Sequence, residues 1–154
     1  MSKAILDFAA KVNAKLTLDY RFIVEKEDRY FLLNDELKIV ARQDLFYAGL
    51  YLGKLKKGKF FPSFNLLSIL AEKKANQVVV DEKAAWLFIC GRDIFGAGIT
   101  AVRGSRRKGD FTLVVNVFGE CLGFGRIIQD LNSKGSSTAI QNVSDVGDFL
   151  RRER

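Results

Sequence analysis

The 154-residue chain contains no histidine. The commonest general base and the commonest metal ligand are therefore absent, and with them the Ser-His-Asp, Cys-His and zinc-histidine constellations. Cysteine is scarce: Cys90 and Cys121 lie in apolar segments without Cys-x-x-Cys spacing. They read as two buried free thiols in a reducing compartment rather than as a disulfide or a metal site. No apolar run approaches the roughly 20 residues of a membrane span, and the opening MSKAILDFAAKVNAKL is amphipathic rather than a secretory signal. A soluble, cytoplasmic protein is expected, or a nuclear or nucleolar one in a eukaryote. Heptads are also missing, so a monomer is the default.

Charge and apolar content are plentiful. At 48% hydrophobic residues the chain can build one sizeable core or two small ones. Its net charge of +7 points to an acidic partner, with nucleic acid ahead of a membrane surface.

Residues 2–16 place Ile5, Phe8, Ala9, Val12 and Leu16 at helical spacing. Residues 18–24 and 30–33 read as strands joined by the charged stretch 25–29, which lacks a tight-turn dipeptide. A turn at Asn34-Asp35 leads to a third predicted strand at 37–40, a short helix at 42–47 and a fourth strand at 49–54. The cations around Gly58 followed by Phe60 and Phe61 can bind phosphates and stack bases, or can be a solvated hairpin turn with core phenylalanines. Ser63 can cap a helix that buries Leu66, Leu67, Ile69 and Leu70. The polar stretch ending at Asn76 is the best boundary, giving domains 1–76 and 77–154. Each is basic on balance: 14 cations against nine acids before the boundary, 11 against nine after it.

The second part opens with a strand at 77–80 and a helix capped by Asp81 that runs to Cys90 and stops at Gly91, a residue able to take the left-handed conformation. Strands follow at 99–102, at 111–118 and, across a Gly119-Glu120 turn, at 122–128. A polar loop spans 132–137, a short strand 138–141 and a closing helix 144–154. Trp86 and Phe124 are assigned to the core, with base stacking as the alternative. Between Arg103 and Lys108 four of six residues are cationic: Arg103, Arg106, Arg107 and Lys108. On a loop their guanidinium forks can engage phosphates bidentately, the bland alternative being a solvated loop without a partner. Two phosphate-loop look-alikes fail. Residues 49–54 have the wrong spacing and Leu55 where Ser or Thr is required, and Gly96-Ala-Gly98 follows a helix rather than a strand.

The order of elements in 77–154 resembles a PUA domain, a small RNA-binding β-barrel. The resemblance is carried by strand 78–80, the helix ending in Gly91-Arg92-Asp93, the Gly98-Ile99 pair, the Lys108-Gly109-Asp110 turn and the Leu122-Gly123-Phe124-Gly125 strand. With Lys59-Phe60, the helix around 66–71 and the tail from Asp145 to Arg151, the whole chain resembles the Nip-seven family of ribosome-subunit biogenesis factors, in its archaeal-type form. The resemblance implies an α+β protein: an N-terminal antiparallel sheet flanked by helices, then a C-terminal PUA-type β-barrel. It implies a non-enzyme, without metal or cofactor, that binds single-stranded U-rich or A/U-rich RNA. Such a protein acts in pre-rRNA processing and large-subunit assembly and meets the pre-ribosomal particle, other assembly factors or the exosome. It also implies RNA contacts at Arg151, Arg152 and Arg154, with Arg103, Arg106, Arg107 and Lys108 as neighbours.

Two readings from other classes stand beside this one. An RNA-modifying enzyme, or an accessory subunit of one, would need a base or nucleophile in the first 76 residues, where Asp19, Asp35 and Asp44 sit in no recognisable catalytic motif. A protein-interaction adaptor would dock through the N-terminal sheet and the segment 54–61.

Overall fold

The computed structural model describes residues 3–40, 48–132 and 135–152. The predicted helix at 42–47, Asp44 and Arg154 lie outside the described residues. Helix α1 (Lys3–Lys11) turns Ile5, Phe8 and Ala9 inward. Asp19 then caps a single 3-10 turn at Tyr20–Phe22, so strand β1 (Ile23–Lys26) begins later than its β-branched sequence indicates. It pairs antiparallel with β2 (Arg29–Leu32), with Lys26 opposite Arg29. The connection is a two-residue turn of Glu27 and Asp28, both left-handed at φ 49° and 62°. This is the conformation that matches strand twist, reached here without glycine or asparagine.

Residues 37–40 are not a strand. Asn34 Oδ1 accepts the Leu37 N–H at 2.8 Å and starts helix α2 (Asp35–Val40), with Asp35 and Glu36 in its positive first turn. The capping signal thus overrides a short apolar run. Strands β3 (Leu50–Lys56) and β4 (Lys59–Pro62) form a hairpin over Lys57-Gly58, and the first sheet reads β1-β2-β3-β4. Ser63 Oγ accepts the Leu66 N–H and caps α3 (Phe64–Ala71), which buries Leu66, Leu67 and Leu70 completely.

Strand β5 (Gln77–Val80) precedes α4 (Glu82–Ile89), whose cap Asp81 accepts the Ala84 N–H at 2.7 Å. There follow β6 (Ile94–Phe95), β7 (Ile99–Arg103), β8 (Phe111–Val115), β9 (Cys121–Ile127), β10 (Thr138–Asp145) and α5 (Gly147–Arg152). The second sheet is a curled half-barrel ordered β6-β10-β9-β8-β5-β7, antiparallel except where β5 lies parallel to β8. The α+β class and the PUA-type barrel expected from the sequence are both present.

Strand β8 ends earlier than predicted. The Asn116 side chain accepts the Phe118 and Glu120 N–H groups at 3.0 and 2.9 Å, folding 116–120 into a turn with Val117 and Phe118 in solvent. Phe124 is core as expected, but Trp86 is 65% exposed on the outer face of α4. Cys90 is exposed rather than buried, while Cys121 is half-buried and its thiol is pushed up to about 11 by burial.

Two cores result. One lies under α4, around Val78, Phe88, Val114 and Ile140. The larger joins Ile5, Phe8 and Val12 with α3 and with Leu113 and Phe124 of the second sheet, so it crosses from one half of the chain to the other.

Candidate nucleic-acid interface

The cationic loop leaves the end of β7 at Arg103, opposite Gln77 in register. Both ends of the loop are held by one buried side chain. Asn76, 3% exposed, accepts the Ser105 N–H through Oδ1 at 2.9 Å and donates from Nδ2 to the Phe111 carbonyl at 3.1 Å. Gly104 sits at φ 81° directly over Asn76, where a Cβ would collide with the amide oxygen. Within the loop Ser105 Oγ donates to Asp110 and accepts the Arg107 N–H, while the Gly109 N–H donates to the Ile127 carbonyl at 2.7 Å.

These bonds sort the four predicted cations. Arg106 is tethered: its carbonyl accepts the Leu131 N–H at 3.0 Å and its guanidinium donates to the Leu131 carbonyl at 3.3 Å. Arg107 stands 3.5 Å from Asp110 with its side chain 83% exposed, and Arg103 and Lys108 are exposed. All four residues are exposed, Arg106 tied to Leu131 and Arg107 beside Asp110, so Arg103, Arg107 and Lys108 are the cations not held to the backbone of a neighbouring segment, on a loop whose own backbone is fixed, a suitable arrangement for a phosphate chain.

The C-terminal arginines are placed differently. Arg151 lies across the end of α4, donating to the Ile89 carbonyl at 2.5 Å and to Asp145 Oδ2 at 2.8 Å, with Asp148 at 4.0 Å. The bond to Asp145 raises the guanidinium pKa further above its ordinary value. Asp145 has a side chain only 3% exposed and also accepts from Asn142 Nδ2 at 3.0 Å. Arg151 is thus a clasp between α5, α4 and β10. Arg152 ends α5. Among the described residues, the partners of Arg151 and those of the loop are separate sets.

Sequence reasoning passed over Asn76, which it treats as the end of a polar linker. The only signal was a short polar side chain immediately before a buried strand. Asp19 and Asp35, considered as catalytic groups, stand at the starts of a 3-10 turn and of α2, and the Arg21 guanidinium bonded to Asp19 holds that carboxyl below its ordinary range. Among the described residues no group of three His, Cys, Asp or Glu side chains could hold a metal ion.

A family model described as the UPF0113 PUA domain matches residues 76–154. A UPF0113 protein of Archaeoglobus fulgidus is 27% identical over 134 residues, covering 84% of this chain and 76% of that protein. Among solved structures, a conserved PUA domain protein from Thermoplasma acidophilum superimposes with a TM-score of 0.61 at 22% identity, over 99% of this chain and 93% of that one. A hypothetical protein from Pyrococcus horikoshii OT3 gives 0.59 at 17%, over 99% and 96%. A PUA domain from Aeropyrum pernix K1, solved as a tartrate complex, gives 0.52 at 23% over 60% of this chain, which spans only 55% of that chain's length. At these identities the structural likeness establishes the fold.

Proposed function

Because the chain belongs to the UPF0113 PUA domain family, a domain class that generally binds RNA, we propose that it is a non-catalytic RNA-binding factor in assembly of the large ribosomal subunit. Residues 77–154 form the RNA-binding domain and residues 1–76 a domain that positions it. The RNA is single-stranded and U-rich or A/U-rich, and lies within precursor ribosomal RNA. The working partners are the pre-ribosomal particle with its other assembly factors, or the exosome, met by a cytoplasmic monomer of the Nip-seven type.

The observation that carries this reading is the set Arg103, Arg107 and Lys108, facing solvent from a loop whose two ends Asn76 fixes. Counterion release from about three phosphates gives a salt slope of roughly −2 for single-stranded RNA, from about −0.7 per contact. Fluorescein-labelled rU12 and rA12 are titrated by anisotropy across a salt series, with wild type beside Arg103→Ala/Arg107→Ala/Lys108→Ala. Tighter binding of rU12, with the triple variant losing affinity and about 2 in slope, supports the reading. Absence of rU12 binding at low salt refutes it. Co-sedimentation with precursors of the large subunit, lost in the triple variant, tests the assembly role.

A further inference from the structure

The net charge of +7 is not concentrated on the predicted loop. A hollow of about 740 Å³ opens where α1 and the β3–β4 hairpin meet the second sheet, and Lys3, Lys11, Lys59 and Arg126 stand around it with Asp7 as the one carboxylate among the described residues. A second hollow of about 550 Å³ continues past Lys59 toward Arg29 and Lys54, with Asp148 as its one carboxylate among the described residues. The two share Lys59, Phe60, Phe124 and Val143 and so form one seam between the halves of the chain. Each volume falls in the roughly 300–1,000 Å³ range of small-molecule sites.

The wall of the seam is aromatic. Phe60 packs against Phe8 and Tyr30 at 6.0 and 5.9 Å between ring centroids, and Phe111 against Phe124 at 6.3 Å. Phe60 and Phe111 are only half-buried, Phe61 is 37% exposed, and the Lys59 ammonium sits 5.4 Å above the Phe61 ring. Lys59 on β4 has a bland explanation, since β4 is a sheet edge and edge lysines deter strand pairing. That explanation does not cover Lys3 and Lys11 on a helix, or Arg126 on an interior strand of the other sheet, all converging on the same hollow. Arg126 also links the seam to the cationic loop, because its Nε donates to the Gly109 carbonyl at 3.3 Å. Cations interleaved with accessible ring faces are the chemistry of single-strand binding.

We propose that single-stranded RNA leaving the loop 103–110 runs past Arg126 into this seam, its phosphates on Lys3, Lys11, Lys54 and Lys59 and one or two bases against Phe60 and Phe61. This rests on the RNA-binding reading and adds to it a second, base-contacting tract in the N-terminal half. An acidic peptide would use the same cations but would be indifferent to the ring of Phe61.

The test titrates fluorescein-rU12 at 50 mM salt and across a salt series against wild type, the loop triple variant, Lys54→Glu/Lys59→Glu and Phe61→Leu. The double charge reversal is expected to weaken binding at least tenfold and lower the salt slope by about 1.4, two single-strand contacts. Phe61→Leu is expected to weaken it about fivefold with the slope unchanged, the lower end for one lost stack. Unchanged thermal melts validate the comparison. Should the reversal unfold the protein, rU12 carrying 4-thiouridine is photocrosslinked to wild type, and adducts must map to Phe60-Phe61 as well as to 103–108. If wild type binds and only the loop variant weakens it, or adducts confine themselves to the loop, the seam is refuted while the RNA reading stands. If Phe61→Leu binds as wild type does and polyglutamate displaces rU12 from it, the seam is an acidic-peptide site and the proposal fails. If wild type does not bind rU12, both fall.

Discussion

Arg151→Ala separates two roles for the C-terminal arginines. The Arg151 guanidinium faces Asp145 at 2.8 Å and the Ile89 carbonyl at 2.5 Å. The Asp145 side chain is 3% exposed, its Oδ1 has no hydrogen-bond partner among the described residues, and its Oδ2 would keep only Asn142. Stranding a fully buried carboxylate costs about 3–5 kcal/mol. Because Arg151 is itself 41% exposed, water and salt reach the site and the figure drops to about 1.5–3 kcal/mol. For a chain of this size that is a fall in Tm of roughly 4–10 °C. Adding Asp145→Asn removes the stranded charge, and the double variant is expected to regain at least half of the loss. Thermal unfolding by circular dichroism, at low and high salt, measures both. A Tm unchanged within about 1 °C, accompanied by weakened rU12 binding, would refute the clasp and return Arg151 to the RNA surface.

Three further outcomes are expected. Asn76→Ala removes both side-chain ties of the loop from a buried site, costing about 1–3 kcal/mol; hydrogen exchange should rise across residues 104–111, and a rise confined to the chain ends would count against the anchor. With its thiol pushed up to about 11, Cys121 should resist a thiol reagent at pH 8 until the protein unfolds, whereas exposed Cys90 reacts in the native state; equal native rates would contradict the placement of Cys121. Trp86, 65% exposed and the sole indole, should be quenched by iodide in the folded protein as readily as in the unfolded one, and a blue-shifted, protected emission would overturn its position on α4.

The elements that were legible in the sequence are those written locally. Ser63 and Asp81 stand three residues before the N–H groups they accept, and the break at Gly91 after α4 needs only its own φ of 86°. Two of the departures from these expectations are instructive. At 37–40, and at the end of 111–118 beyond β8, an apolar run reads as strand, although one asparagine side chain, Asn34 or Asn116, commits the backbone to a helix or a turn. Trp86 is expected in the core as an apolar residue of α4, whereas the side of α4 that faces the sheet is taken by Ala84 and Phe88. At the candidate site, the cationic loop was visible because its charges are adjacent. Its anchor was not, since Asn76 reaches across 29 and 35 residues, and the clasp was not, since Arg151 reaches across 62. A single sequence carries no signal for such pairings.

Asn76, where the sequence leads one to expect a boundary, has a structural role that composition did not indicate. The Asn76 N–H donates to the Val12 carbonyl at 2.7 Å and its carbonyl accepts the Leu113 N–H at 2.9 Å, while its side chain holds the loop. One residue therefore ties the first helix region, the central strand of the second sheet and the cationic loop together. Phe8 meets Phe124 edge-on at 5.1 Å inside the core that both halves share. Cations on α1, β4 and β9 are consequently held at fixed spacing around the seam rather than brought together by the ligand. For the proposed RNA ligand, the ordering cost of binding then falls on the RNA and the lysine side chains rather than on the backbone, which favours a single strand that is already extended over one that must first be unpaired.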